Sequence, residues 1–270
     1  MLQSGSSGSI REMVTGELYV DRRGAGEVDV VALHGAPQDP EAVAEAVSAA
    51  LPEARVWTPH MPGYGGSADV TLGEGDPLGL GLLEAALAGR FASCVLVGIS
   101  VGAYRALGLA ARGRVPVAGV FAMGSFARIG EHLSARMRGG AEAVRSGVDV
   151  QPLLVETWFS ARFREAHAER ARAVVERHLG CLGREATAAE QEAVASGPDL
   201  RPRLDRFTGP VCLGVGALDE ATPPELTEEV ARALPQAEVR RFAGCGHLVE
   251  VEAPEAFGQA LRDFVATTRS

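Results

Sequence analysis

The chain has 270 residues, 46% of them hydrophobic, and a formal net charge of −9. That length buries a full core, with one domain carrying an insertion as the expected organisation, and the acidic balance argues against a general nucleic-acid binder, which needs a concentrated positive face. The chain contains neither lysine nor asparagine, which excludes a Schiff-base or Ser-Lys enzyme, a P-loop and a Cys-His-Asn site together.

Residues 1–13 contain Ser4-Gly5-Ser6-Ser7-Gly8-Ser9, a flexible-linker composition. No early stretch joins a basic start to an uninterrupted apolar run, so neither a signal peptide nor a membrane span is expected, and the expected compartment is the cytoplasm. Gly16–Asp21 and Glu27–Leu33 read as strands joined across a glycine-containing turn, predicting an edge hairpin. The second runs into His34-Gly35-Ala36-Pro37, a small-residue loop at a strand's carboxyl end, where the N–H of Ala36 is a candidate oxyanion donor. Asp39 and Pro40 then form a helix-start signal ahead of an apolar face through Leu51. Arg55–Thr58 is a short strand ending in the Pro/Gly-rich loop 59–67, where His60 is a secondary candidate base with no acid placed to orient it. Leu80–Arg90 reads as a helix.

The next stretch carries the strongest signal. Ser93–Val97 is an apolar strand that breaks at Gly98-Ile99-Ser100-Val101-Gly102 and resumes at helical spacing, the strand, sharp turn and helix of a G-x-S-x-G elbow. Ser100 is the candidate nucleophile. The N–H of Val101, at a helix start, is the second candidate oxyanion donor. Val115–Met123 is a buried strand, after which residues 128–206 are helical in period and too long for a simple crossover, which predicts an inserted helical cap. Between Arg128 and Arg177 this insertion holds nine arginines against seven acids. Most are expected to be solvated or paired at i,i+4 with acids such as Glu165, Glu169 and Glu176, and one or two are candidates to face an anionic substrate group. Leu153, Leu154, Trp158, Phe159 and Phe163 form an apolar face, half of it expected against the body and half over a pocket, with Trp158 a candidate substrate contact.

The sheet resumes at Val211–Gly216 and delivers Asp219, followed by a helix starting at Thr222 and Pro223. Ala237–Phe242 is the last strand, with His247 after it and a helix from Ala253 to Val265. Serine, aspartate and histidine thus follow three strand ends in order. A serine hydroxyl needs a base of pKa near 7, and that base needs a carboxylate on its other ring nitrogen. Ser100, His247 and Asp219 fill these roles, in the Ser…Asp…His order of α/β-hydrolases. Cys94, Cys181, Cys212 and Cys245 have no metal spacing. Cys94 and Cys212 are expected as buried thiols and Cys245 as partly exposed. The six histidines are scattered, so no metal and no cofactor is implied.

His34-Gly35-Ala36-Pro37, Pro62-Gly63-Tyr64-Gly65-Gly66-Ser67, the Ser100 elbow, the Asp219 loop and Gly246-His247 with Glu252-Ala253-Pro254-Glu255-Ala256-Phe257 resemble the α/β-hydrolase superfamily from about residue 14 onward. Trp158-Phe159, Asp199-Leu200-Arg201 and the stretch 217–224 resemble bacterial 3-oxoadipate enol-lactonases and esterase-like relatives. The resemblance implies an α/β fold with an eight-stranded, mostly parallel sheet: a core of residues 14–127 and 207–270 and a cap of residues 128–206. It also implies Ser100 as nucleophile, His247 as base and Asp219 as its orienter. The expected activity is cofactor-independent hydrolysis of a small ester or lactone. Carbon–carbon bond hydrolysis, perhydrolysis and a ligand sensor with little turnover remain alternatives at this stage.

Overall fold

Apolar runs such as Cys94–Ile99 have no polar face to offer water, so they belong in a parallel sheet covered on both sides. In the computed structural model, which describes residues 16–269, they build one such sheet; the Gly/Ser-rich stretch in residues 1–13 lies outside the described residues. The elements run β1 (Val20–Arg23), β2 (Val28–Leu33), α1 (Pro40–Ala50), β3 (Ala54–Pro59), α2 (Leu80–Leu87), β4 (Cys94–Ile99), α3 (Val101–Arg112) and β5 (Val117–Met123). Five helices follow: α4 (Glu131–Arg145), α5 (Gln151–Trp158), α6 (Ala161–Ala166), α7 (Ala168–Gly180) and α8 (Arg184–Ala195). The chain then returns through β6 (Val211–Gly216), α9 (Pro224–Ala233), β7 (Ala237–Phe242), α10 (Val249–Glu252) and α11 (Pro254–Thr267).

The sheet order is β1-β3-β2-β4-β5-β6-β7, seven strands among the described residues where the resemblance implies eight. All neighbours are parallel except β1 and β3. The expected β1–β2 hairpin does not form. Both sides of β2 are occupied by parallel partners, β3 and β4, so β1 crosses to the free side of β3 and pairs Val20 with Pro59 through Arg23 with Val56. Alternation along β4 divides the core in two: Val95, Val97 and Ile99 pack in the cluster with α1 and α11, and Leu96 packs in the cluster with α2 and α3. At the far edge β7 exposes charged residues, with Arg240 pairing with Glu238 at 2.7 Å, a surface that discourages further strand pairing.

The helical insertion between β5 and β6 is tied to the sheet layers by polar contacts, one set buried and one at the surface. Arg105, fully buried on α3, pairs with Glu190 of α8 at 2.8 Å, and the Tyr64 hydroxyl donates to the same carboxylate. Arg177 of α7 reaches Asp39 (2.6 Å) and Glu45 (2.8 Å) across the domain. The expected local i,i+4 pairing is therefore replaced in part by long-range pairs, because α4 packs on α8 and the last turn of α7 sends Arg177 to α1; Arg145 likewise bridges to Glu185 and Glu192. Trp158, Phe159 and Phe163 form a small separate core with Val175 and Leu248, which anchors α5–α7 to the loop after β7.

His178 on α7 accepts a hydrogen bond at Nδ1 from the Asp39 N–H, 2.9 Å. That role requires the neutral ring, and burial pushes its pKa down from 6.5 to about 4. The unfolded chain binds this proton below pH 6.5 and the folded chain refuses it until about pH 4. The contribution is therefore full above pH 6.5 and lost as the pH falls through 4. Denaturant unfolding of wild type and His178→Asn is expected to show the gap between them shrinking on acidification from pH 7 to 4.5, by roughly 2 to 3 kcal/mol. A gap independent of pH contradicts this reading.

Candidate active site

The sequence-predicted residues converge at the carboxyl ends of β2, β4, β6 and β7. Ser100 sits between β4 and α3 with φ 57° and ψ −120°, the one non-glycine residue with positive φ among the described residues. Such a backbone costs on the order of 1–3 kcal/mol and persists only where its surroundings impose it. Those surroundings are close: a Cβ on Gly102 would lie 1.9 Å from the Leu33 carbonyl oxygen, and one on Gly98 would lie 2.3 Å from that of Gly102. The Ser100 N–H donates to the Met123 carbonyl (2.8 Å), its carbonyl accepts from Ala103 and Tyr104, and its hydroxyl does not cap α3.

The loop that carries Ala36, a candidate oxyanion donor, is held by its own neighbours. Gln38 Oε1 accepts from the Gly35 N–H at 2.6 Å. His34 is fully buried; its Nδ1 lies 2.8 Å from the Gly35 carbonyl oxygen and its Nε2 accepts from the Met61 N–H at 3.1 Å. Burial, with Arg105 nearby, pushes its pKa down to about 3, so the ring is neutral and Nδ1 carries the donating proton. The N–H groups of Ala36 and Val101 have no acceptor among the described residues, and both residues line the same cavity as Ser100.

Asp219 and His247 meet as their strand-end positions predict. His247 Nδ1 is 2.8 Å from Asp219 Oδ2. The other carboxylate oxygen, Oδ1, accepts from the N–H groups of Ala221 (2.9 Å) and Thr222 (2.8 Å). The Thr222 hydroxyl donates to Oδ2 at 3.0 Å and lies 3.2 Å from His247 Nδ1. Burial disfavours the imidazolium of His247, but the charge and hydrogen bond of Asp219, with Glu250 behind them, outweigh it and hold the pKa above 6.5. The His247 N–H donates to the Trp158 carbonyl (2.9 Å), and Glu252 accepts from the N–H groups of Gly246 (2.9 Å) and Ser160 (3.0 Å). The insertion therefore grips the histidine loop directly.

Ser100, His247, Ala36, Val101 and Trp158 line one cavity of about 360 Å³, roofed by α4, α5 and part of α8. Leu153 and Leu154 line it while Phe159 and Phe163 pack inward, as the division of the apolar face predicts. His60 stands apart from the cavity. Contrary to expectation an acid does accompany it, Glu41 at 3.4 Å, and the ring accepts from the Gly66 N–H to brace the 60–66 loop. Cys94 and Cys212 are buried as expected, and Cys245 is buried as well. Among the described residues no group of three or more His, Cys, Asp or Glu side chains is arranged to hold a metal ion, and no helix is long and apolar enough to cross a membrane.

Sequence reasoning missed Thr222 as a partner of the Asp219–His247 pair, having read it as a helix start; its position three residues after an aspartate, ahead of Pro223, was the available signal. Gln38 and Glu252 left no comparable signal, since their partners are set by loop geometry.

This fold is that of the α/β-hydrolase class. The model of the alpha/beta hydrolase family matches residues 30–260, and the chain belongs to that family. Among solved structures it is similar to a thermophilic esterase from Thermogutta terrifontis, determined with malate bound, at 26% identity and a TM-score of 0.81 over 94% of each chain. It is also similar to the enol-lactonase from Burkholderia xenovorans LB400 (22% identity, TM-score 0.76, 92% of this chain and 96% of that one). An esterase from Exiguobacterium antarcticum matches at 18% identity and a TM-score of 0.74 over 94% and 96% of the two chains. Comparison with curated proteins finds no sequence match.

Gly124 supplies a direct test of the geometry. It has φ +56°, and a Cβ there would lie 2.8 Å from Thr222 Oγ1 and 3.1 Å from His247 Cε1. Gly124→Ala is expected to lower kcat on a responsive ester by about 10²-fold, as a displacement of about 1 Å does, with the circular dichroism spectrum unchanged. Activity within twofold of wild type contradicts this placement of His247.

Proposed function

We propose that the protein is a cofactor-independent serine hydrolase acting on small carboxylic esters or lactones. The observation that carries this reading is the Asp219–His247 contact of 2.8 Å opening onto the cavity that also holds Ser100 on its strained turn. The likeness to the thermophilic esterase supports an ester substrate. In this reading residues 14–127 and 207–270 are the catalytic core and residues 128–206 a cap whose Trp158 contacts substrate.

The Ser100 oxygen attacks the carbonyl carbon while its proton passes to His247 Nε2, and Asp219 steadies the imidazolium through Nδ1. The carbonyl oxygen becomes an oxyanion held by the N–H groups of Ala36 and Val101, each worth roughly 3–4 kcal/mol in the transition state. Collapse breaks the bond to the leaving oxygen, which takes the proton from His247. Water then gives His247 a proton as its oxygen attacks the acyl-serine. The acid departs and the proton returns to Ser100. A lactone yields a single ring-opened acid.

Ser100→Ala and His247→Ala are each expected to lower kcat/KM on an aryl ester by about 10⁴-fold or more. Because the base works when neutral and its pKa is held above 6.5, wild-type kcat/KM is expected to rise with pH through a limb above that value. A rate flat from pH 6 to 9, or an undiminished Ser100→Ala variant, contradicts the proposal.

A further inference from the structure

Among the described residues lining the cavity, no aspartate or glutamate is present, and Arg136 is the one with a permanent charge. In a protein of net charge −9, a reaction cavity stripped of acids and given one guanidinium has a defined electrostatic preference. Arg136 lies on α4, exposed to solvent while lining the cavity, which places it at the entrance. It is held by two backbone contacts: Nη1 donates to the carbonyl oxygens of Glu220 and Ala221, each at 3.2 Å. These carbonyls belong to the loop that carries Asp219, so the guanidinium is fixed relative to the Asp219–His247 pair, and its charge acts on His247.

The other contacts of this side chain matter by their absence. Arg145 and Arg177, elsewhere in the insertion, are each engaged by two carboxylates, while Arg138, Arg164 and Arg170, which have none, lie outside the cavity lining. Arg136 has no carboxylate partner among the described residues, and its Nε and Nη2 groups make no hydrogen bond to them. Guanidinium N–H pairs on one edge match the two oxygens of a carboxylate. The remaining cavity wall is apolar or neutral, with Phe126, Leu133 and Met137 beside Thr157 and Gln191. Such a wall receives a carbon chain and offers an anion no second guanidinium.

We infer that the preferred substrate is an ester or lactone bearing a free carboxylate, which Arg136 receives at the cavity entrance while the reacting carbonyl lies at Ser100. This deepens the serine-hydrolase reading and rests on it. Arg136 is then a specificity-determining residue, acting through substrate binding.

The test compares p-nitrophenyl butyrate with the mono-p-nitrophenyl ester of glutaric acid, which carries a terminal carboxylate at a similar chain length. Wild type is expected to favour the carboxylate-bearing ester in kcat/KM by tenfold or more, chiefly through a lower KM. In Arg136→Gln that preference is expected to fall to about twofold or less, and in Arg136→Lys, which keeps the charge and loses the fork, to be partly retained. Melting temperatures of the variants check that the Glu220–Ala221 loop keeps its place. Turnover of both esters by wild type without preference, or a preference that survives in a folded Arg136→Gln, overturns this inference and leaves the serine-hydrolase reading standing. No turnover of either ester by folded wild type removes both.

Discussion

A buried carboxylate is costly unless its lone pairs are met, and Asp219 is met by four donors: two backbone N–H groups, the Thr222 hydroxyl and the His247 ring. The donors come from the loop that carries it and from the loop after β7, so satisfying this one group fixes the two loops against each other. The orientation of His247, its tautomer and its raised pKa follow from that contact. So does the position of Arg136, whose guanidinium rests on carbonyls of the same loop. The sheet supplies the stiffness: β6 and β7 are parallel neighbours, paired from Val211 with Ala237 to Gly216 with Phe242, and they deliver the two loops side by side.

The helical insertion contributes more than a roof. It reaches the body through the fully buried Arg105 and its pair Glu190, through Asp39 with Arg177 and His178, and through Glu252 with Ser160. A buried ion pair such as Arg105–Glu190 adds little net stability over an apolar pair of the same shape, yet removing one partner alone costs about 3–5 kcal/mol. Its effect here is on geometry, joining the helix behind Ser100 to the helix beside the cavity. The Glu252 and Trp158 contacts do the same for the histidine loop. Cavity shape and the position of the proposed base are therefore set by the same contacts.

Much of this was legible in the sequence where the determinant is local. The elbow announces itself because an apolar strand, two glycines around a serine and a helical period must occur together, and the strand-end positions of Asp219 and His247 follow from the alternation of strands and helices. The β1–β2 hairpin was misread because pairing is decided by which strand edges remain free, and both edges of β2 are taken by β3 and β4. Arg105 breaks the apolar run of α3, and nothing in the sequence indicates that Glu190, 85 positions away, meets it. Arg136 was indistinguishable from the other arginines of the insertion. What sets it apart is that, among the described residues, it is the one arginine that lines the cavity, and that depends on how α4 lies against the Asp219 loop.

The central claim is that Ser100 is an activated nucleophile, and covalent labelling tests it most directly. After treatment with a serine-directed fluorophosphonate, the intact mass of the wild type is expected to rise by one adduct and that of Ser100→Ala to stay unchanged. Folded wild type that takes no label, or a Ser100→Ala variant labelled as fully as wild type, would contradict the account.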